Sequence, residues 1–239
     1  IAASGLFRGS GLARGNYILN CDNPFMTPAG VAVGDRPLDI YCLAAGLGST
    51  GQASLDIGRR FVEGGDRQDD FRHSSFRSVL GLKGTLEDIA WDYDIYAQYG
   101  QTVQSRTYLN DVSLSRISRS LQVVNTGPNG ILGDADDAPI CTSVLNGSDT
   151  SCVPFDVFRT GTLTPQLLTY LVTPGFQIGT TSEWVVNAAF NGELDMASPW
   201  AESQVSAAFG GEYRQEKLEH RVDLAFSTGD LAGQGGPTP

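Results

Sequence analysis

Ser74-Ser75-Phe76-Arg77-Ser78-Val79-Leu80-Gly81-Leu82-Lys83-Gly84-Thr85-Leu86, then Ile89-Ala90-Trp91-Asp92-Tyr93-Asp94-Ile95-Tyr96-Ala97-Gln98-Tyr99-Gly100, is the stretch that decides how this chain folds. In the first arm Phe76, Ser78, Leu80, Leu82 and Leu86 fall on even positions, and Arg77, Val79, Gly81, Lys83 and Thr85 on odd ones. After a turn placed at Gly84–Asp88 the parity reverses: Ile89, Trp91, Tyr93, Ile95, Ala97 and Tyr99 share one face, Asp92, Asp94, Tyr96 and Gln98 the other. Side chains of a strand point alternately to opposite faces, so this period of two predicts a β-hairpin and not a helix. Each arm has roughly the ten residues with which a tilted strand crosses a bilayer. A polar face backing an aromatic one suits a membrane barrel, wet within and greasy without. A hairpin of a soluble β-sandwich, polar face to solvent, has the same pattern.

A second hairpin of the same build is predicted over 180–214. Trp184, Val186, Ala188 and Phe190 alternate with Glu183, Val185, Asn187 and Ala189. After a turn at Glu193–Trp200, Val205, Ala207, Phe209, Gly211 and Tyr213 alternate with Gln204, Ser206, Ala208, Glu212 and Arg214. An extra strand is expected over 53–63, and the charged cluster Glu63–Arg72 is assigned to an aqueous rim. Residues 1–51, 101–178 and 215–239 have no sustained period and are expected to be long loops. Two short helices are predicted among them: one capped at Asn110 with the stripe Leu114, Ile117, Leu121 and Val124, and one opened by Thr164-Pro165 and carried by Leu167, Leu168 and Leu171. Short turns alternating with long loops is the asymmetry of outer-membrane barrels, whose periplasmic turns are short and extracellular loops long.

Composition narrows the function classes. The 239 residues carry a net charge of −11, which argues against nucleic acid as a partner. No run approaches the roughly 18 apolar residues of a transmembrane helix, which leaves barrel strands untouched as an option. The four cysteines, Cys21, Cys42, Cys141 and Cys152, allow three connectivities; local pairing, Cys21 with Cys42 and Cys141 with Cys152, is the simplest. Disulfides would place the chain in an oxidising compartment such as the periplasm or cell surface. Gly46-Leu47-Gly48-Ser49-Thr50-Gly51 spells a dinucleotide fingerprint, but alternating Ala53, Leu55 and Ile57 follow it where a helix is needed, so a glycine-rich turn is expected. Asp134, Asp136 and Asp137 lack the rest of a calcium loop and are read as a solvated acidic turn. Asn146-Gly147-Ser148 is a glycosylation sequon by spelling alone. The only histidines, His73 and His220, sit in no triad or metal spacing, so no enzyme, cofactor or metal site is expected.

Several segments, in order and spacing, are similar to one family. They are Asn23-Pro24-Phe25 after Cys21, Arg59-Arg60-Phe61-Val62-Glu63-Gly64-Gly65, Phe76 to Gly84, Trp91-Asp92-Tyr93-Asp94 with Gln98-Tyr99-Gly100, Asn110-Asp111, Cys152-Val153-Pro154-Phe155 running to Phe158, Gly192-Glu193-Leu194, Ser198-Pro199-Trp200-Ala201 and Gly211-Glu212-Tyr213-Arg214. Through these, most of residues 20–235 resembles the barrel portion of TonB-dependent outer-membrane receptors of Gram-negative bacteria. The resemblance implies an all-β fold: residues 1–239 as a partial antiparallel transmembrane β-barrel, about two full hairpins plus an extra strand, with long extracellular loops containing short helices. In the whole receptor about 22 strands would close around a plug. Nothing in the chain matches the plug, the TonB box or the closing C-terminal strand, so an internal part of a longer receptor is expected. The implied function is energy-coupled uptake of a bulky nutrient, such as a ferric siderophore, cobalamin or an oligosaccharide, with outer-membrane lipid and the TonB–ExbB–ExbD system as partners. Loops carrying Cys21, Cys42, Cys141 and Cys152 would frame the ligand entrance. Arg77, Lys83, Asp92, Asp94, Glu183, Glu212 and Arg214 would face the lumen, either toward ligand or satisfying one another in the wall. The alternative from another class is a secreted β-sandwich module for carbohydrate binding or adhesion, which would bury the aromatic faces between two sheets.

Overall fold

Both alternating stretches form paired strands in the computed structural model, which describes residues 16–26, 42, 45–47, 51–57, 63–128, 135–136, 138–200 and 202–233. In chain order the elements are β1 (Asn16–Asn20), β2 (Gln52–Asp56), β3 (Gln68–Leu86), β4 (Trp91–Val112), α1 (Leu114–Leu121), β5 (Val123–Asn125), β6 (Pro139–Cys141), α2 (Thr142–Leu145), α3 (Pro165–Leu171), β7 (Val172–Ala197), β8 (Gln204–Val222) and α4 (Leu224–Ser227). The fold is mostly antiparallel sheet with few helices. The long strands make one four-stranded sheet in the order β3-β4-β7-β8, while β1 pairs with β2 and β5 with β6 in two small antiparallel ladders. The chain divides into two compact units, Ile1–Asp70 with Thr107–Phe176 and Val222–Pro239, and Phe71–Arg106 with Gln177–Arg221.

The second unit is sheet alone, and its two faces differ as the alternation predicts. Phe76 of β3 meets Tyr99 of β4 edge-on at 5.6 Å, and Tyr99 meets Trp184 of β7 at 4.5 Å. Further along, Trp91 of β4 lies 5.4 Å from Phe209 of β8, and Phe209 stacks on Phe190 of β7 at 5.3 Å. Trp91 reaches Phe209 across β7 because residue 192 is glycine: a Cβ there would fall 2.6 Å from the indole. Tyr93 lies over Gly84 in the same way. These contacts put Phe76, Leu80 and Leu82 on the same face as Trp91, Tyr93 and Ile95. Nothing in the described residues covers that face. Leu80 is 80% exposed, Leu82 70% and Phe209 60%, and among the described residues of this unit Val185 is the only buried one. The two-sheet core that a β-sandwich requires is not formed here.

The first unit has an ordinary core. Its centre is Leu19, Val112, Ile117, Leu121, Phe155, Leu167 and Leu171, all essentially without solvent contact. α1 buries Leu114, Ile117 and Leu121, which recur at helical spacing, and is capped by Ser113, whose hydroxyl accepts from Arg116 N at 3.2 Å. Asn110 is not the cap; it sits at φ +59°, a left-handed position that asparagine tolerates, and its amide donates to the Asp66 carbonyl at 2.8 Å. α1 stops at Leu121, so Val124 belongs to β5. α3 begins as expected, with Thr164 accepting from Leu167 N and Pro165 in the first turn. The Asn23 side chain, 1% exposed, donates to the Leu121 carbonyl at 2.8 Å and so closes the C-terminal end of α1. The segment after β8 returns into this core: Ala232 N donates to the Val112 carbonyl, Gly233 N to Asp111 Oδ2, and Asp230 takes Ser115 N at 2.7 Å. Ser113 N donates to the Leu171 carbonyl at 3.0 Å, which ties together the two ends of the segment between β4 and β7.

Several boundaries differ from expectation, and for one reason. Residues 68–72 are already strand, β4 runs on to Val112, the β7–β8 turn is 198–203, and residues 215–222 continue β8. Likewise Gly84 lies inside β3 and the first turn is 87–90. A strand wet on both faces has no hydrophobic period to detect, yet its backbone ladder is satisfied as well as ever. Residues 1–51 are not all loop, since β1 pairs with β2. The extra strand expected over 53–63 thereby joins a separate small sheet and not the long one; its continuation over 58–62 lies outside the described residues.

Filling the gap under Trp91 tests this packing. Gly192→Val should destabilise the sheet by about 1–3 kcal/mol, the usual cost of overpacking. Gly211→Val, with open space around its position, should shift the midpoint of urea unfolding far less. Equal effects of the two substitutions would contradict the placement of the indole.

Candidate functional site

The face opposite the aromatics is polar and hollow. Arg77 Nη2 donates to Gln98 Oε1, and Gln98 Nε2 donates to Glu183 Oε1 at 2.9 Å. Glu183 pairs with Arg214 at 3.8 Å, and Arg214 also engages Glu212 at 3.2 Å and Glu216 at 3.8 Å. One chain of polar contacts therefore crosses β3, β4, β7 and β8. Nearer the hairpin turns, Thr85 donates to Asp92 at 2.7 Å and Lys83 lies 3.9 Å from Asp94. All seven charged residues singled out from the sequence thus share this face, and each has a partner there. Partner indices fall along one strand as they rise along its neighbour, as antiparallel pairing requires. Exposed pairs of this kind contribute at most about 1 kcal/mol each, so their effect is to keep the face neutral and ordered more than to stabilise it.

An open depression of about 730 Å³ lies on this face, at the end of the sheet away from the turns. Its lining includes Ser75, Arg77, Gln98, Thr102, Thr181 and Glu183. Gln98, Glu216 and Gly100 were not among the candidates from sequence, although the same parity that selected Asp92 and Asp94 passes through Gln98. The outer face changes character at the level of this hollow. Phe76, Tyr99, Trp184 and Tyr213, one from each strand, are followed two residues on by Ser74, Gln101, Ser182 and Gln215. From Phe76 to Leu86 the apolar side spans ten steps; at about 3.3 Å per step this is about 33 Å of strand. With a tilt near 40° it becomes about 25 Å, the height of the apolar band on a membrane barrel.

The cysteines pair locally. Cys21 with Cys42 and Cys141 with Cys152 are disulfides, with Cα separations of 6.2 and 6.1 Å. The second closes a loop pinned to the first unit's helices by one titratable cluster. Asp149 Oδ2 lies 2.8 Å from Arg119 Nε and accepts the Tyr170 hydroxyl at 2.7 Å, while Asp149 Oδ1 accepts from Ser151 Oγ at 2.7 Å. The Ser151 hydroxyl first, then the Tyr170 hydroxyl and the Arg119 charge, hold the Asp149 carboxyl below its ordinary value. The cluster ties the loop to α1 and α3 and acts as a latch.

Other motifs resolve simply. β2 opens at Gln52, directly after Gly51, so no helix is present to receive a pyrophosphate; Gly48–Thr50 lie outside the described residues. Asp134 and Asp137 also lie outside them, and among the described residues no three His, Cys, Asp or Glu side chains form a metal-binding group. Among the described residues no helix is long and apolar enough to cross a membrane. No known family model matches this chain, and no curated protein matches it either.

The latch makes stability depend on acid. Because the Asp149 carboxyl is lowered in the fold, its contribution is complete above the ordinary carboxylate value near 4 and is lost as pH falls through the lowered one. The thermal midpoint measured between pH 7 and pH 3 should therefore drop at the acid end. Asp149→Asn should lower the midpoint at pH 7 and flatten that drop, and an unchanged acid limb would remove Asp149 from the explanation.

Proposed function

We propose that this chain forms part of the barrel wall of a TonB-dependent outer-membrane receptor, which takes up a bulky nutrient with energy supplied through TonB–ExbB–ExbD. The observation that carries this is the common level at which all four strands exchange an aromatic for a polar residue on the outer face. A membrane–water interface imposes such a level, because aromatic rings settle at the headgroups and hydrocarbon excludes polar side chains. Two further features support it. The apolar band has bilayer height, and the hollow is on the polar face, the reverse of a soluble sheet that curls around its core.

On this reading the outer face meets outer-membrane lipid, and Arg77, Lys83, Asp92, Asp94, Glu183, Glu212 and Arg214 face the lumen as a mutually satisfied wall. Four strands fall short of the roughly eight that the smallest membrane barrels need, so the wall is completed by strands beyond the sheet described. The role is transport and not catalysis. The secreted β-sandwich module is the weaker reading, since the aromatic residues it would bury are bare.

Size-exclusion chromatography discriminates. The protein should aggregate in buffer and run as one species in detergent. A concentration-independent monomer peak near 25.5 kDa without detergent would favour the secreted module. In liposomes, a fluorophore at Leu82 or Ile95 should be quenched most by lipid brominated at mid-chain, and one at Thr102 should not respond.

A further inference from the structure

A barrel wall is wet and concave on its polar face; which groups line the concavity is a separate matter of chemistry. We infer that the depression on that face is a binding subsite for a neutral, polyhydroxylated ligand, a stretch of oligosaccharide, and that it sets the substrate class of the receptor proposed above, on which reading it rests. The volume of about 730 Å³ falls within the roughly 300–1,000 Å³ of small-molecule sites. Around it stand the hydroxyls of Ser75, Thr102 and Thr181 and the amide of Gln98, groups that donate and accept alike. Sugar hydroxyls have the same double character, so each can be met without leaving a polar group unpaired.

The charges point the same way. On the polar face two cations, Arg77 and Arg214, stand against two carboxylates, Glu183 and Glu216. All are already committed: Arg77 to Gln98, Glu183 to Gln98 and Arg214, and Glu216 to Arg214. An anionic ferric chelate needs a surplus of cations to complement it and a cationic ligand a surplus of carboxylates; this lining offers neither. The floor is also built for access. At Gly100 an added Cβ would meet nothing closer than the Phe76 carbonyl oxygen at 3.8 Å, so at this point the hollow extends down to bare backbone.

That last feature supplies the test. Gly100→Leu projects a side chain into the hollow without a clash, and Thr102→Val with Thr181→Val removes two hydroxyls at nearly constant volume. Calorimetric titration of the detergent-solubilised receptor would use maltopentaose, xylopentaose and cellopentaose as neutral probes and a ferric tris-catecholate as the anionic one. At least one pentasaccharide should bind, Gly100→Leu should weaken it about tenfold or more, equivalent to at least one decade of Kd, and the double variant should weaken it several-fold. Unchanged heat-modifiable migration on electrophoresis would confirm that both variants are folded. The subsite is overturned if no pentasaccharide binds, if both folded variants bind as the parent does, or if the ferric chelate is the ligand that Gly100→Leu displaces. Those failures leave the receptor reading standing, because detergent dependence and TonB-dependent uptake are measured separately. A detergent-independent monomer would remove that reading first.

Discussion

Apolar surface that a protein leaves uncovered has to be covered by its surroundings. At about 25 cal/mol per Å² of apolar area, a sheet face carrying Leu80, Leu82, Trp184 and Phe209 in the open cannot be at rest in water. This one constraint organises the long strands. Their aromatic side chains touch one another along the face, from Phe76 through Tyr99 to Trp184, yet no second layer lies over them. The polar face, by contrast, is internally complete, since its charges find partners on neighbouring strands.

The other unit obeys the usual rule. Its helices are short, and neither α1 nor α3 would persist alone in water. They persist because Ile117, Leu121, Leu167 and Leu171 lock together, and because side chains answer backbone groups around them: Asn23 at the end of α1, Asp111 at Gly233 N, Asp230 at the start of α1. Two disulfides close its loops. One chain thus carries two arrangements, one unit that supplies its own core and one whose apolar face the described residues leave uncovered.

How much of this could be read from sequence depends on whether one face of a strand was dry. Within Phe76–Leu86 and Trp91–Tyr99 the dry side made alternation plain, and the parity of Arg77, Lys83, Asp92 and Asp94 followed from it. Beyond Tyr99 and before Phe76 polar residues fall on both sides, the apolar period disappears, and strands that continue for many residues looked like loop, even though the end of β4 turns Tyr108 and Val112 into buried clusters of the first unit. β1 was invisible for another reason: Asn16–Asn20 is short and its partner β2 lies more than thirty residues on, so only the tertiary pairing makes it a strand. Thr164-Pro165 announced α3 because capping chemistry is local, whereas α1 has its cap at Ser113 and not at the more obvious Asn110. Of the hollow, the charged rim was legible and the floor was not. A glycine in a strand gives no sign of whether its missing side chain makes room for a neighbouring ring, as at Gly192, or for solvent, as at Gly100.

The bond from Ser113 N to the Leu171 carbonyl has a consequence for the order in which the chain assembles. β4 and β7 are adjacent in the sheet but separated in sequence by everything from Ser113 to Leu171. Zipping them together directly would mean closing a flexible loop of that length, an entropic cost of about 3–4 kcal/mol beyond the constant term. Folding the insertion first removes that cost, because its two ends emerge already hydrogen-bonded to each other. Each hairpin can form locally, but the seam between them waits on the core of the other unit. By this argument the helices and the Cys141–Cys152 disulfide of the insertion favour the closure of a sheet to which they add no strand.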